Sequence, residues 1–246
     1  ILIFLILPLS LTAISFTPSN LEEGCKKIES EKGIFSLILM APQTGEILFA
    51  YHKENIYEKY SPGSLIKPFS YLAAAALHPI ENTKSYFCKG FKEYSGNKVC
   101  WLSPGHGEIN LISAFSHSCN SFFYDEVVKP FLTQPAFLET LKNFQIDFYL
   151  KEEGLTDENF YRLAIGLDGF LIASPYSVLR AYNSFFNGGL LLNEKKELIK
   201  TIPLPAVEME NIHEGMRGAY LFGTASSVFQ NLKIEDFAAK TGTGTA

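Results

Sequence analysis

The sequence predicts a mixed α/β domain in which an antiparallel sheet is flanked by helices and carries an inserted helical lobe. Two observations predict this class: strand-forming runs lie near both ends of the chain, and helix-forming segments fill its middle. A length of 246 residues, 47% of them hydrophobic, is enough for one domain with a sizeable core. The net charge of −5 provides no basic surface, so we expect no nucleic-acid partner.

The N-terminal residues 1–16 carry no charge and are almost entirely apolar. Such a segment is typical of a secretory signal sequence or of the remnant of a membrane anchor, and we predict one of these. A buried strand or helix is the alternative. Residues 17–33 are polar and are interpreted as a connector with a helix near Leu21–Glu31, which leaves 34–246 as the main domain.

The elements of the main domain follow from local patterns. Ile34–Met40 and Glu46–Tyr51 are rich in strand-forming residues and enclose a turn sequence, which predicts a hairpin. The last segment, Asp236–Thr243, is also strand-like. Helices are predicted at Phe69–Leu77, at Leu111–Val128 with an interruption at Ser116–Asn120, at Pro135–Phe144, at Ser174–Phe186, and at Met216–Phe229 with a break at Gly223.

An S-x-x-K pattern at Ser64–Lys67 is the first candidate for chemistry. A Pro-Gly pair precedes it and an Ala-rich segment follows, so Ser64 is predicted in the first turn of a helix with Lys67 on the same face. The lysine can then take the proton of the serine hydroxyl if its own pKa is lowered. Backbone N–H groups of Ser64 and of a residue near Thr243 are expected to form an oxyanion hole. A second S-x-x-K, Ser95–Lys98, has the Gly-Asn centre of a solvated turn and is interpreted as a chance match.

An S-x-N pattern, Ser118 and Asn120, interrupts the predicted helix Leu111–Val128. Ser118 is expected to relay a proton between the lysine and a leaving nitrogen, and Asn120 to donate to a substrate amide carbonyl. The residue between them, Cys119, is interpreted as a small buried side chain.

A K-T-G-T pattern, Lys240–Thr243, is the rarest of the three by chance. Lys240 and the hydroxyls of Thr241 and Thr243 are expected to bind a substrate carboxylate. Gly242 indicates a place where another group approaches the strand backbone closely. The positive charge of Lys240 is also expected to lower the pKa of the S-x-x-K lysine.

The four cysteines fit an exported protein, and a turn between Cys88 and Cys100 predicts a disulfide between these two. Their separation is too wide for a C-x-x-C knuckle and no Cys/His cluster accompanies them, so no metal site is expected. Cys25 has no evident partner. Phosphate-binding glycine patterns are absent, and no cofactor is expected. No G-x-S-x-G elbow surrounds a serine, so four histidines are expected in surface or packing roles: His78, His106, His117 and His213.

With these motifs the chain resembles the transpeptidase domain of class B penicillin-binding proteins of the elongation type, within the wider superfamily that includes β-lactamases. The likeness runs from about Phe35 to Ala246. Further ordered matches support it: Thr44–Ile47, Tyr60–Ser64, Cys100–Trp101, Gly105–Gly107, Phe122–Tyr124, Ser174–Pro175, Asn187–Gly189 and Gly223–Ala225. The resemblance implies a penicillin-binding/β-lactamase-like fold in which two strands and a helix follow the K-T-G strand, so we expect the sequence to be part of a longer protein.

The resemblance implies a serine D,D-transpeptidase of peptidoglycan cross-linking. Ser64 would attack the penultimate D-Ala carbonyl of a stem peptide with Lys67 as base, and β-lactams would acylate the same serine. Expected partners are stem peptides, β-lactams and cell-wall synthesis proteins, with a membrane anchor as a further expectation. The expected location is the periplasm or the outer face of the bacterial inner membrane. Two alternatives stay open: a class D-like β-lactamase, whose central motif usually has Val in place of Asn120, and a non-catalytic β-lactam sensor or structural homologue.

Overall fold

The computed structural model describes residues 2–6, 17–90, 93–94, 97–98, 100–229 and 237–244. The strands in this part of the chain are β1 (Leu2–Ile6), β2 (Leu37–Met40), β3 (Ile47–Tyr51), β4 (Tyr86–Cys88), β5 (Glu93–Tyr94), β6 (Asn97–Lys98), β7 (Gly107–Ile109), β8 (Phe148–Leu150), β9 (Leu171–Ala173), β10 (Leu190–Leu192), β11 (Leu198–Thr201) and β12 (Ala238–Gly242). The helices are α1 (Pro18–Lys32), α2 (Lys67–Ala75), α3 (Leu111–Ser116), α4 (Asn120–Phe122), α5 (Lys129–Phe131), α6 (Gln134–Asn143), α7 (Asp157–Ala164), α8 (Pro175–Ser184), α9 (Ala206–Leu221) and α10 (Ser226–Phe229). Two 3₁₀ segments, Lys53–Ile56 and Gly63–Ile66, and a π-helical segment, Phe123–Val128, complete the set.

The described strands pair antiparallel in two-stranded ladders, β1–β12, β2–β3, β4–β7, β5–β6, β8–β9 and β10–β11. The predicted mixed α/β class with antiparallel strands is therefore confirmed. The predicted hairpin is β2–β3, in which Leu37 lies opposite Tyr51. The two ends of the chain also pair, since Phe4 of β1 lies opposite Lys240 of β12. Among the described residues the hairpin is a ladder of its own and does not hydrogen-bond to β12.

Residues 2–6 of the N-terminal segment form strand β1. Residues 1 and 7–16 lie outside the described residues. The division of the chain into a signal or anchor segment, a connector and a main domain stays a prediction. The connector contains α1, which is longer at both ends than the helix expected there. In the described ranges, no helix has both the length and the hydropathy to cross a bilayer.

Helix α2 runs through the core and starts with the S-x-x-K lysine. Pro68 is tolerated because it lies in the first turn, where its missing N–H has no helical partner. The Phe69 ring meets the rings of Phe144 and Tyr182 edge-on, with centroids 5.1 and 5.5 Å away. Each such pair contributes about 0.5–1.5 kcal/mol beyond its burial. The Tyr182 hydroxyl donates to the Leu65 carbonyl at 2.7 Å, so the same packing holds the backbone next to the nucleophile.

The predicted interruption at Ser116–Asn120 is confirmed, because α3 ends at Ser116 and α4 begins at Asn120. Between them Ser118 has a φ of +51°, in the left-handed region that non-glycine residues rarely occupy. The chain then continues as a π-helical segment, a feature frequent at functional sites. Backbone strain also concentrates at such sites, so this turn is the first structural sign of function.

Candidate active site

Ser64 and Lys67 lie where the 3₁₀ segment passes into α2, and their side chains meet. Lys67 Nζ is 2.5 Å from Ser64 Oγ, and the lysine is completely buried. Burial lowers the pKa of Lys67 to about 7, because removal from water disfavours the charged ammonium. A substantial fraction of the amine is therefore neutral at neutral pH and able to accept the serine proton.

The S-x-N turn brings two further polar side chains to the same amine. Lys67 Nζ donates to Asn120 Oδ1 at 2.7 Å and lies 3.4 Å from Ser118 Oγ. Both partners are buried. The left-handed backbone of Ser118 thus lies at the point where the turn meets the lysine.

The K-T-G strand, β12, adds a second buried amine. Lys240 Nζ donates to Ser118 Oγ at 2.9 Å and to the Thr241 carbonyl at 2.8 Å. Burial, together with the neighbouring charge of Lys67, lowers the pKa of Lys240. Ser118 Oγ therefore connects the two amines and is placed to pass a proton between them. We call Ser64, Lys67, Ser118 and Lys240 the amine cluster.

Thr224 belongs to the site although sequence reasoning did not assign it a role. Its hydroxyl lies 2.7 Å from the hydroxyl of Thr241, and its backbone N–H donates to the Ser116 carbonyl at 3.1 Å. Thr224 therefore ties the K-T-G strand to the S-x-N turn. The Gly-Thr-Ala match at Gly223–Ala225 is the sequence signal that points to it. The carboxylate-binding role expected for Thr241 and Thr243 stays a prediction.

Three backbone segments meet at the nucleophile. Gly63 has a φ of +54°, and a Cβ there would lie 2.6 Å from the Thr243 carbonyl carbon. On another side, a Cβ on Gly166 would lie 2.6 Å from the Ser64 nitrogen and overlap the Gly63 carbonyl. Only glycine permits this approach. The backbone of Thr243, near which we predict the second oxyanion donor, thus lies beside the residue that precedes Ser64.

Two further residues singled out in the sequence, Gly242 and Ser95, remain to be placed. The close approach indicated by Gly242 is made by the chain itself, because a Cβ there would lie 2.8 Å from both Leu65 Cγ and the Pro62 carbonyl oxygen. Ser95, interpreted as a chance match, lies outside the described residues.

A second buried cluster overturns two predictions. One ligand atom each of Cys88, Cys100, His106 and Cys119 lies within 4.8 Å of the others, and we call these residues the thiol cluster. The predicted Cys88–Cys100 disulfide is wrong, because the two sulfur atoms are 3.6 Å apart and both cysteines are free. The expectation that no Cys/His cluster accompanies them is also wrong, so the observation on which a metal site was excluded does not hold. The β4–β7 ladder sets Cys88 opposite Gly107, and the S-x-N turn adds its cysteine.

The thiol cluster has the donor set of a structural zinc site. Three thiols and one imidazole suit tetrahedral Zn²⁺, and four protein donors fill its coordination shell. His106 Nδ1 lies 3.5 Å from the sulfur atoms of both Cys88 and Cys100. The hydrogen bond from Cys119 lowers the pKa of the Cys100 thiol, which favours the thiolate that a metal binds. These residues therefore fit a zinc ion.

The fold and the amine cluster together define a class of protein. A Ser-Lys pair, an S-x-N turn and a K-T-G strand in a mixed α/β domain are the parts of the serine acyl-transfer machinery. The family model described as the penicillin binding protein transpeptidase domain matches residues 35–246. The chain belongs to this family.

Solved structures share the fold. A complex between PBP2 and MreC from Helicobacter pylori has a TM-score of 0.74 at 20% identity, covering 92% of this chain and 53% of that chain. Pseudomonas aeruginosa PBP2 in complex with WCK 5153 has a TM-score of 0.76 at 18% identity, covering 93% and 66%. A structure of a peptidoglycan synthase complex has a TM-score of 0.72 at 17% identity, covering 93% and 51%. This chain spans between half and two thirds of those chains. No curated protein matches.

Proposed function

We propose that this chain carries the acyl-transfer site of a serine D,D-transpeptidase, which cross-links peptidoglycan stem peptides ending in D-Ala-D-Ala and is acylated by β-lactams. The observation that carries the proposal is the amine cluster, in which groups from three distant segments share one hydrogen-bonded network around two buried lysines. Membership of the transpeptidase family supports the same chemistry.

In the first step Ser64 Oγ attacks the carbonyl carbon of the penultimate D-Ala, and neutral Lys67 takes the hydroxyl proton. The peptide C–N bond breaks as the tetrahedral intermediate collapses, and an ester joins Ser64 to the stem peptide. The leaving D-Ala nitrogen receives a proton through Ser118, whose Oγ lies 3.4 Å from Lys67 Nζ and 2.9 Å from Lys240 Nζ. The net result is an acyl-enzyme and free D-Ala.

In the second step the amine of a neighbouring stem peptide attacks the ester carbonyl carbon, and the bond from that carbon to Ser64 Oγ breaks. The proton lost by the amine passes to Ser64 Oγ, which leaves an amide cross-link and the free serine hydroxyl. Lys240, with the hydroxyls of Thr241 and Thr243, is proposed to bind the terminal carboxylate of the donor peptide, and Asn120 to contact its amide. A β-lactam reacts at its own amide carbonyl, and opening of its ring leaves it attached to the serine.

Labelling with a fluorescent penicillin tests the acylation step. We expect stable labelling of the wild type and none of Ser64→Ala. The matched control is Ser184→Ala, which removes another buried hydroxyl, one that donates to the Ala181 carbonyl, and labelling should persist.

The other outcomes separate the alternatives. Rapid loss of the label with turnover would indicate a β-lactamase of the class D type. Stable labelling without release of D-Ala from a stem peptide would indicate a sensor or structural homologue. An unlabelled wild type, prepared as the full-length protein, would refute the acyl-transfer proposal.

We also propose that the protein acts outside the cytoplasm beside cell-wall synthesis proteins. The support is that two of the solved structures with this fold are a PBP2–MreC complex and a peptidoglycan synthase complex. Protease added to spheroplasts is expected to digest the domain, while intact cells protect it. Protection in spheroplasts would contradict an exported location.

A further inference from the structure

Helix α7 ends in a turn that lies directly behind the nucleophile. The Leu167 N–H donates to the Arg162 carbonyl at 2.9 Å, and the Gly166 N–H donates to the Leu163 carbonyl at 3.0 Å. These two bonds are the pattern of a Schellman cap, which needs a left-handed residue at its apex. Gly166 supplies it with a φ of +86°.

This turn touches the nucleophile segment in two places. The apex, Gly166, leaves no room for a Cβ between itself and the backbone of Gly63 and Ser64. Further along α2, Ser70 Oγ donates to the Ala164 carbonyl at 2.5 Å. The position of the Ser64 N–H therefore depends on where the turn lies.

A charged pair closes the turn. Arg162 Nε and Nη2 donate to Asp168 Oδ2 and Oδ1 at 2.7 and 3.1 Å, a bidentate arrangement that fixes both direction and distance. Arg162 is only 7% exposed, and its Nη1 has no partner in the described part of the chain. Asp168 is held at a φ of +70°, in the left-handed region. Separating the pair would leave a buried cation without a counter-charge, which is energetically costly. The ion pair therefore stabilises the closed conformation of the turn.

We propose that Arg162 and Asp168 are positioning residues of the acyl-transfer site: their ion pair holds the 164–168 turn against the nucleophile and orients the Ser64 N–H toward the oxyanion. The inference rests on the proposed function. Neither side chain moves a proton or touches the substrate in this scheme, because both act through the backbone of Gly166. The expected effect is therefore on the rate of acylation and not on binding.

Acylation by a fluorescent penicillin, followed over a range of concentrations, separates the dissociation constant from the first-order rate constant. For Asp168→Asn we expect complete labelling, a dissociation constant within about twofold of the wild type, and a rate constant about tenfold lower. Arg162→Lys keeps the charge but loses the bidentate fork, and should lower the rate constant by about threefold. The matched control is Asp147→Asn, which breaks the largely exposed 2.6 Å ion pair with Lys59 and should leave the rate constant within about twofold.

A rate constant for Asp168→Asn within about twofold of the wild type would overturn the inference. So would fewer labelled sites with an unchanged rate constant, since that is the result of a merely structural pair. If Asp168→Asn does not fold, Arg162→Lys decides by the same criterion, and failure of both to fold would show a structural pair. An unlabelled wild type would refute the proposed function, and this inference with it.

Discussion

The amine cluster and the thiol cluster meet at the same turn, Ser118–Asn120, and burial favours the neutral form in both, so it lowers the pKa of the amines and raises that of the thiols. In the amine cluster, removal from water lowers the pKa of Lys67 to about 7 and makes the amine a base. In the thiol cluster, the hydrogen bond between Cys119 and Cys100 outweighs burial at Cys100 and lowers its pKa, which favours the thiolate there, whereas the same bond and burial raise the pKa of Cys119. The comparison shows that burial by itself does not define reactivity, because the neighbouring donors decide which form is stabilised.

The most severe way to break the amine cluster alone is Lys67→Met. The acylation rate should fall by about 10²–10⁴-fold, because the base is lost. The free energy of unfolding should be unchanged or higher, since an apolar side chain of similar volume replaces a desolvated amine. Penicillin labelling and chemical denaturation measure the two effects. Lys59→Met, at a partly exposed lysine, is the control, and a rate within tenfold of the wild type would contradict the assigned base.

The thiol cluster is broken alone by Cys119→Ser. We expect zinc affinity to fall by at least about tenfold, because one of four donors is lost. Competition with a chromophoric chelator measures this on the purified protein. Cys25→Ser is the control, since Cys25 is also buried and free but lies in α1. Equal loss in both variants, or no zinc bound by the wild type, would refute the metal site.

A smaller effect on the amine cluster comes from pH. Acylation should slow by about tenfold per unit below pH 7, as Lys67 becomes charged. The pKa of Lys67 is lowered from 10.5 to about 7 in the folded state, so between these values the unfolded chain binds more protons and stability rises with pH. Below pH 7 Lys67 is protonated in both states, so the stability that its neutral amine gives to the folded protein is fully lost and does not change further with pH. Labelling rates and unfolding midpoints across this window are the measurements, and an unchanged pH profile in a Lys67→Met background would contradict the assignment.

The smallest effect is expected at the partly exposed Trp101, which contacts both the segment before the S-x-N turn and the thiol cluster. Its Nε1 donates to the His117 carbonyl at 3.1 Å, next to the S-x-N turn, and its ring centroid is 5.4 Å from that of His106. Trp101→Phe should cost about 0.5–1.5 kcal/mol of unfolding free energy, the worth of one hydrogen bond. Labelling should stay within about twofold of the wild type. A larger loss of labelling would mean that the clusters are more strongly coupled than their separate contacts suggest.

The amine cluster could be predicted from sequence because each of its residues lies in a short motif whose chemistry is local. Ser64 and Lys67 are three residues apart on one helical face, and the break at Ser118 is visible as an interrupted period. The K-T-G lysine could be assigned to the same chemistry, although its contact with Ser118 is made only by the folded chain.

The thiol cluster could not be predicted, since its members are brought together by tertiary structure. Cys88 and His106 become neighbours only through the β4–β7 ladder, and Cys119 comes from a different turn. The Gly-His-Gly run around His106 is the one local signal that a special backbone position lies there. The same limit hid the pairing of β12 with β1 and the clamp between Arg162 and Asp168, because no local pattern specifies either.

The close backbone packing of Gly63 against Gly166 and Thr243 has a consequence for the timing of folding. These contacts join positions 63, 166 and 243, which are far apart along the chain, so the loop-closure cost of each must be met before the backbone around Ser64 takes this arrangement. During synthesis Ser64 leaves the ribosome long before its last neighbour does. The backbone contacts around Ser64 therefore cannot all form until Thr243 has been synthesised, so this arrangement of the nucleophile segment is completed late.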